Sequence, residues 1–299
     1  MRTPFTGVGT ALVSPFTRGG SLDEAAVRRL ARRQIDAGVH FLCPCGTTGE
    51  SPTLTDTERL RTVEIVVDEA KGRVPVLAGA GGYDTKEVMH LAVEMQKAGA
   101  SGLLSVTPYY NKPSQEGLYQ HYRAIAEQTS LPIIVYNVPG RTGVNVEAAT
   151  LVRLAELPHI VGVKEASGNV TQMCEICRAV PPDFLVLSGD DALTLPVMAV
   201  GGRGIISVAA NEIPLEMVQM VEAAERNDFA AARQIHARIV PLLLTNFVES
   251  NPIPVKAAMA AMGLLEDVYR LPMVPPQKAS LEKIQKVLRD LGLLKGALV

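Results

Sequence analysis

The chain has no long apolar segment and no block of like charge. No run reaches the roughly 18 apolar residues of a membrane span, and the first residues lack the apolar core of a signal peptide. The 29 basic and 31 acidic residues give a net charge of -2, which argues against nucleic acid or an anionic membrane as partner. The sequence therefore predicts a cytoplasmic protein that binds neither.

Cysteine and histidine are scarce as well. The 5 histidines are scattered, and the 4 cysteines are Cys43, Cys45, Cys174 and Cys177. Cys174 and Cys177 have C-x-x-C spacing, but they lie in an amphipathic helical pattern with no second pair at zinc-site spacing. We therefore expect buried or half-buried reduced thiols and no metal site.

Short apolar runs alternate with longer helical patterns, and 47% of the 299 residues are hydrophobic. The runs predict eight strands, at residues 10–16, 39–44, 74–79, 102–107, 132–137, 160–164, 184–189 and 204–208. Their nearly continuous apolar character is typical of parallel strands that are covered on both faces. No Gly-x-Gly-x-x-Gly motif follows the first strand, which disfavours a dinucleotide-binding open sheet. The regular repeat predicts an α/β protein with a (β/α)8 TIM barrel.

Helical patterns fill the intervals between the strands. They cover residues 23–37, 55–71, 85–98 and 114–128, and then 215–226, 228–247, 254–262 and 277–291. Thr55 and Glu58 have the spacing of a capping box. Because only helical patterns follow the eighth strand, we divide the chain into a barrel that carries the active site, residues 1–226, and a small C-terminal helical appendage, residues 227–299.

Unusual residues follow four of the predicted strands, where the reactive groups of such a barrel lie. The segments are GTTGE at 46–50, TPYYN at 107–111, YNVPGRTG at 136–143 and VKE at 163–165. Lys164 ends an apolar run, so burial at the barrel mouth would disfavour its charged form and leave a neutral amine nucleophile. The alternative is a structural lysine that is paired with Glu165 or another carboxylate.

Tyr136, Thr47, Thr48 and Arg141 make the chemical interpretation of Lys164 stronger. Imine formation needs several proton transfers, which a tyrosine hydroxyl can make in both directions, and threonine hydroxyls can relay protons without carrying charge. Arg141 follows a Pro-Gly turn and suits bidentate binding of a carboxylate. Taken alone, Tyr136 could be an aromatic residue of the core, Thr47 and Thr48 could form a simple turn, and Arg141 could be a solvated loop residue. Together they predict carbonyl chemistry through a lysine imine.

The four motifs, in this order, resemble the dihydrodipicolinate synthase/N-acetylneuraminate lyase superfamily, and within it the dihydrodipicolinate synthase family. The likeness extends over nearly the whole chain, including residues 188–191, 204–208 and 251–256. It implies a lyase of lysine and diaminopimelate biosynthesis. Such an enzyme condenses pyruvate with L-aspartate 4-semialdehyde through a Schiff base on Lys164, and it needs no added cofactor.

The same resemblance implies a proton relay that two subunits share. Tyr136 would be the central proton donor and acceptor, linked through Thr48 to Tyr110. In the family this second tyrosine comes from a neighbouring subunit. The resemblance therefore implies a homo-oligomer, a tetramer built from tight dimers.

Substrate-binding positions are also implied by the resemblance. Thr47 and Thr48 would hold the pyruvate carboxylate, and the backbone around Gly189 and Ile206 would line the pyruvate pocket. Arg141 would bind the carboxylate of the aldehyde.

Two other functions remain possible at this point. A pyruvate aldolase acting on N-acetylneuraminate or 2-keto-3-deoxygluconate would use the same lysine and tyrosine. Arg141 in PGRTG favours the synthase, and so does Thr47, since sialate lyases more often carry serine there. The other alternative is a non-catalytic small-molecule sensor on a barrel scaffold, which has no need for a desolvated lysine beside a tyrosine–threonine relay.

Feedback inhibition by L-lysine is expected to be weak or absent. In lysine-sensitive members of the family the effector binds at the dimer interface. Matching residues here are Ser51, Glu87 and Tyr109. Asp56 and Arg59 stand where histidines are usual, and Tyr83 stands where an asparagine usually contacts the effector carboxylate.

Overall fold

The computed structural model describes residues 4–294 and contains one sheet of eight parallel strands. The strands are β1 (Gly7–Ala11), β2 (Phe41–Cys43), β3 (Leu77–Gly79), β4 (Gly102–Val106), β5 (Ile133–Asn137), β6 (Ile160–Glu165), β7 (Leu185–Ser188) and β8 (Gly204–Ser207). Their order is β2-β1-β8-β7-β6-β5-β4-β3. A parallel bridge between Leu42 and Val76 brings the two ends of the sheet together, which closes the barrel.

Helices occupy the connections between the strands and the whole C-terminal part. They are α1 (Glu24–Asp36), α2 (Asp56–Ala70), α3 (Thr85–Lys97), α4 (Gln115–Ala126), α5 (Pro139–Thr142), α6 (Ala148–Leu154), α7 (Val170–Ala179), α8 (Thr194–Ala199), α9 (Pro214–Glu225), α10 (Phe229–Thr245), α11 (Ile253–Ala261) and α12 (Lys278–Asp290). Within residues 4–294 none of them is long and apolar enough to cross a membrane. The predicted (β/α)8 barrel with C-terminal helices is confirmed.

Local sequence signals account for most helix starts. Thr55 accepts a hydrogen bond from the Glu58 amide, and the Glu58 carboxylate accepts one from the Thr55 amide, which is the predicted capping box. Asp84 caps α3 and Ser114 caps α4 in the same side-chain-to-amide manner. These contacts satisfy amides that a helix start leaves without a partner inside the helix.

Two parts of the secondary structure differ from the prediction. The first strand covers Gly7–Ala11 rather than residues 10–16. The prediction placed it too far along the chain because Gly7 and Gly9 interrupt the apolar pattern. A Cβ atom on Gly9 would lie 2.0 Å from the Phe41 ring, so the glycine makes room for that ring inside the barrel. The short helices α5, α6 and α8 were not predicted, since four, seven and six residues are too few for a clear amphipathic period.

The apolar core continues from the barrel into the C-terminal helices. Helix α9 packs on β1 as the eighth barrel helix, and α10 packs along α9. Leu242 of α10 and Leu288 of α12 belong to the same buried cluster as Val218 of α9. Asn227 has a φ of 62° and turns the chain between α9 and α10. The division at residues 226 and 227 stays a prediction, and its last residues, 295–299, lie outside the described part.

Candidate active site

Lys164 and Tyr136 lie side by side inside the barrel. They are register partners on the neighbouring strands β6 and β5, and both are buried. The Nζ atom of Lys164 lies 4.2 Å from the centroid of the Tyr136 ring. The structure therefore brings the predicted nucleophile and the predicted proton donor together at the carboxyl end of the barrel.

Glu165, the next residue of β6, faces away from Lys164. Successive side chains of a strand point to opposite faces, and the Glu165 carboxylate is fully buried. It accepts hydrogen bonds from Asn137 Nδ2 at 2.9 Å and from the Ser167 amide at 2.7 Å. It also accepts one from Gln172 Nε2 on α7 at 3.3 Å. The alternative of an ion pair between Lys164 and Glu165 is therefore wrong.

Gly189 lies against the Lys164 side chain at the end of β7. A Cβ atom at this position would be 3.2 Å from Lys164 Cε and 2.6 Å from Ala166 Cβ. The Gly189 amide donates to the Glu165 carbonyl at 2.8 Å, which fixes the backbone there. Ile206 of β8 is fully buried and belongs to the same interior cluster as Tyr136. Glycine is needed at 189 because any side chain would displace the lysine or its neighbours.

Residues 46–50, which we name the threonine turn, orient Thr47 and Thr48 differently. The Glu50 amide donates to the Thr47 carbonyl at 3.1 Å, and Glu50 has a φ of 51°. Thr47 is half-buried and lines the same small cavity as Tyr136. Thr48 is buried, and its Oγ1 accepts a hydrogen bond from Asn251 Nδ2 at 3.0 Å. Thr47, rather than Thr48, therefore shares a cavity with Tyr136.

Two neighbouring cavities lead outward from the barrel interior. The inner one has a volume of about 40 Å³ and includes Tyr136 in its lining. The outer one has a volume of about 210 Å³ and includes Arg141 and Tyr109. Their walls have residues in common, namely Thr47, Ser51, Arg59, Gly81 and Val106. A small molecule in these cavities would lie between the buried tyrosine and the arginine at the mouth.

Arg141 lies in α5, at the outer rim of these cavities. Its side chain is exposed, but Nη2 donates a hydrogen bond to the main-chain carbonyl of Asn251 at 3.1 Å. The guanidinium is thus held at the cavity mouth, unlike that of a freely solvated loop arginine. Its remaining N–H donors can bind a planar anion such as a carboxylate.

Tyr110 is not part of the interior site of its own chain. Its side chain is 92% exposed, and its φ of 69° turns it away from β4. The preceding residue, Tyr109, lies at the cavity instead and packs edge-on against Tyr83, with ring centroids 5.2 Å apart. The predicted relay of Tyr136, Thr48 and Tyr110 is therefore not assembled within a single chain.

The comparisons with known proteins agree with this geometry. The model of the Dihydrodipicolinate synthetase family matches residues 4–291. The chain belongs to this family. The 4-hydroxy-tetrahydrodipicolinate synthase of Koribacter versatilis is 52% identical over 98% of this chain and 98% of that protein. The one from Chlorobium phaeobacteroides is 54% identical over 97% and 98%. A crystal structure of dihydrodipicolinate synthase from Thermotoga maritima, 45% identical, superposes with a TM-score of 0.96 over 97% of this chain and 100% of that one.

In this member of the dihydrodipicolinate synthetase family, two site residues, Asn251 and Lys256, were missed by the sequence interpretation. Asn251 contacts both Thr48 and Arg141. Lys256 forms a buried ion pair with Glu50, with Nζ and Oε1 2.5 Å apart. Residues 251–256 contributed to the family resemblance, but they received no role. The available signal was that Asn251 and Lys256 are polar residues in a segment otherwise made of proline and apolar residues.

The cysteines agree only in part with the expectation of buried or half-buried thiols. Cys43 and Cys45 are buried, and burial raises the pKa of each to about 12. Cys177 is half-buried, and burial raises its pKa to about 11. Cys174 is exposed, so the expectation was wrong for this residue. It lies on the outer face of α7, whose inner face is formed by Met173 and Ile176.

Proposed function

We propose that the protein condenses pyruvate with L-aspartate 4-semialdehyde to give 4-hydroxy-tetrahydrodipicolinate, in lysine and diaminopimelate biosynthesis. The observation that carries this proposal is the contact between Lys164 and Tyr136 inside the barrel. Membership of the family and the names of relatives about half identical to this chain support the choice of substrates. On this proposal the protein is a lyase that works without an added cofactor.

Lys164 is the nucleophile in the proposed reaction. Its neutral amine attacks the ketone carbon of pyruvate, and loss of water gives an imine. Removal of a methyl proton then gives an enamine, whose carbon bonds to the aldehyde carbon of the second substrate. The amine of that substrate attacks the imine carbon and displaces Lys164. This closes the ring and regenerates the enzyme.

Tyr136 exchanges the protons of these steps. Its position beside Lys164 lets the hydroxyl give a proton to the departing water, take one from the methyl group as the enamine forms, and give it to the aldehyde oxygen during carbon–carbon bond formation. A threonine hydroxyl can pass such protons onward without being charged. The cavity that Thr47 and Tyr136 line together supports Thr47 for this step. Thr48, whose Oγ1 already accepts from Asn251, is better suited to hold the substrate.

The two substrate carboxylates would occupy different ends of the site. The threonine turn would hold the pyruvate carboxylate with hydroxyl and amide donors, and the backbone at Gly189 and Ile206 would form the opposite wall. Arg141 would bind the carboxylate of the aldehyde at the outer cavity. This order puts the ketone of pyruvate next to Lys164 and lets the aldehyde enter second.

A shared site between subunits is the second part of the proposal. The exposed Tyr110 would reach the Tyr136 of a neighbouring copy, which makes a tight dimer the smallest active unit and a tetramer the expected assembly. The chemistry of amino-acid biosynthesis also supports a cytoplasmic location.

Borohydride trapping tests the imine. We expect sodium borohydride with pyruvate to add the reduced pyruvate adduct to the peptide containing Lys164, and a Lys164→Arg variant to remain unlabelled. Lys256 provides an internal control, because it is a second buried lysine outside the barrel interior. An adduct on another lysine would refute the role of Lys164. No adduct at all would refute the proposed mechanism and would favour a binding protein.

A coupled assay tests the acceptor. Pyruvate with L-aspartate 4-semialdehyde should turn over much faster than N-acetylneuraminate or 2-keto-3-deoxygluconate is cleaved. A preference for either sugar acid would overturn the proposed substrate and keep the imine chemistry.

A further inference from the structure

The segment 251–256 reaches into the threonine turn at two points. Asn251 Nδ2 donates to Thr48 Oγ1 at 3.0 Å, and Lys256 Nζ lies 2.5 Å from Glu50 Oε1. The partners are 203 and 206 residues apart in the chain. Two positions of one turn, Thr48 and Glu50, are thus held by residues at and just before the start of α11, outside the barrel strands.

All four side chains are buried, with exposed fractions between 0% and 5%. Burial lowers the pKa of Lys256, and the Glu50 carboxylate beside it opposes that effect. The Lys256 ammonium also lies 4.3 Å from the centroid of the Phe16 ring. A buried ion pair is weak evidence for stability, since desolvation offsets much of the attraction. Its geometric effect is clearer, because it holds the side chain of Glu50, which has a left-handed backbone conformation and lies two residues after Thr48.

The Asn251 contact also sets the direction of the Thr48 hydroxyl. An amide N–H₂ can only donate, so Thr48 Oγ1 is the acceptor in this bond. The single hydroxyl hydrogen must then point elsewhere, and the hydroxyl acts as a donor on its other side. A donor in the threonine turn suits a carboxylate, and a donor to a charged group is stronger than one to a neutral group.

We propose that Asn251 and Lys256 are positioning residues for pyruvate, which orient Thr48 as a donor to its carboxylate. The inference rests on the proposed function. It assigns to the C-terminal helical region a part in substrate binding, in addition to its part in the apolar core. Asn251 contacts Arg141 through its main-chain carbonyl, so removing its side chain leaves that second contact in place.

The test compares two buried asparagines that each join the C-terminal region to the barrel. Asn251 donates to Thr48, whereas Asn246 donates to Glu212 Oε2 at 2.6 Å, away from the threonine turn. We expect Asn251→Ala to raise the pyruvate concentration for half-maximal borohydride trapping by about tenfold, the loss expected for a hydrogen bond that serves a charged group. Asn246→Ala should lower the melting temperature and leave that concentration unchanged. Asn251→Leu, which keeps the volume without the donor, should behave like Asn251→Ala.

The pairwise effect is tested in a double-mutant cycle. In a Thr48→Val background, Asn251→Ala should add little to the loss of pyruvate affinity, because the amide acts through the hydroxyl. The paired variant Lys256→Met with Glu50→Gln leaves no unpaired buried charge. It should raise the pyruvate concentration for half-maximal trapping by a larger factor than it lowers kcat.

The outcomes separate the two proposals. Wild-type protein without any trapped pyruvate would refute the proposed function. If the wild type traps pyruvate and Asn251→Ala needs the same pyruvate concentration for half-maximal trapping, only the positioning role is refuted. Equal effects of Asn246→Ala and Asn251→Ala would also refute it, since a general loss of stability would then explain both.

Discussion

The Nη2 atom of Arg141 lies 3.1 Å from the main-chain oxygen of Asn251 and donates a hydrogen bond to it. This bond joins α5, which follows the fifth strand, to the segment just before α11. It limits the positions that an exposed guanidinium can take. A side chain held in this way loses less entropy when it binds an anion than a free arginine would.

Replacing Arg141 by alanine should therefore damage use of the aldehyde substrate more than use of pyruvate. Loss of a charge-assisted contact costs about 2–3 kcal/mol, or roughly 30- to 150-fold in kcat/KM for L-aspartate 4-semialdehyde. Steady-state kinetics with each substrate varied in turn would measure it. Arg153→Ala is the matched control, because it removes an exposed arginine that pairs with Glu116 on the barrel exterior. Equal losses for both substrates would identify Arg141 as structural.

Tyr110 should act in the site of a neighbouring subunit. Tyr110→Phe chains and Lys164→Ala chains should each be inactive alone, and mixing them should restore part of the activity. Each mixed pair would contain one site with both residues intact. Tyr136→Phe mixed with Lys164→Ala is the control, since both residues belong to one barrel and every mixed site lacks one of them. No recovery in verified hetero-oligomers would place Tyr110 outside the shared site.

The barrel could be predicted from the sequence because its signals are local. Apolar runs, capping residues and helix lengths depend on neighbours within a few residues, and the ends of the strands after the first followed from them. Lys164 and Tyr136 could also be predicted from local signals, since each lies near the end of its own apolar strand segment. That they meet follows from strand order alone, as β5 and β6 are sequential and parallel.

The contacts of Thr48, Asn251 and Tyr110 could not be predicted in this way. Asn251 and Thr48 are 203 residues apart, so no periodic pattern links them. The two threonines of the turn are equivalent in the sequence, and only the three-dimensional packing places one at the cavity and the other at Asn251. The orientation of Tyr110 depends on a left-handed backbone conformation that tyrosine rarely adopts.

Glu212 should make the protein less stable as the pH rises. Burial raises the pKa of its carboxyl from 4.5 to about 8, against the hydrogen bond from Asn246, and the nearby Asp191 adds to the increase. The folded state therefore holds a proton that the unfolded state loses. The stabilisation that this bound proton gives to the folded state is complete below pH 4.5 and is lost as the pH rises through about 8.

Glu212→Gln should flatten this dependence. Each pH unit inside the window is worth about 1.4 kcal/mol, so the variant should gain roughly 2–3 kcal/mol over wild type between pH 5 and pH 7. Denaturant unfolding at several pH values measures the difference. Glu225→Gln, which changes an exposed glutamate on α9, should keep the wild-type profile. Parallel profiles for wild type and Glu212→Gln would contradict the assignment.

Inhibition by L-lysine should be weak because of two residues, Arg59 and Tyr83, on the wall of one surface cavity. The cavity has a volume of about 480 Å³ and is lined by Asp56, Arg59, Tyr83, Glu87 and Tyr109 among others. Arg59 donates two hydrogen bonds to the Ser51 carbonyl, at 3.1 and 2.7 Å, so its positive charge is held at this wall. A fixed cation opposes the binding of a cationic ligand. Asp56, 3.6 Å from Arg59, offsets part of that charge.

Tyr83 contributes the second obstacle. Its ring packs edge-on against Tyr109. The family resemblance leads us to expect an asparagine at this position as a contact of the effector carboxylate, and the phenol is larger and lacks the amide. Loss of one charge-assisted contact costs about 1.5–3 kcal/mol, which weakens affinity about tenfold or more. Initial rates across a lysine titration should therefore show no half-inhibition at submillimolar concentrations. Conversely, the paired variant Arg59→His with Tyr83→Asn should become more sensitive. Submillimolar inhibition of the wild type would mean that Glu87 and the other matching residues bind lysine without the missing contacts.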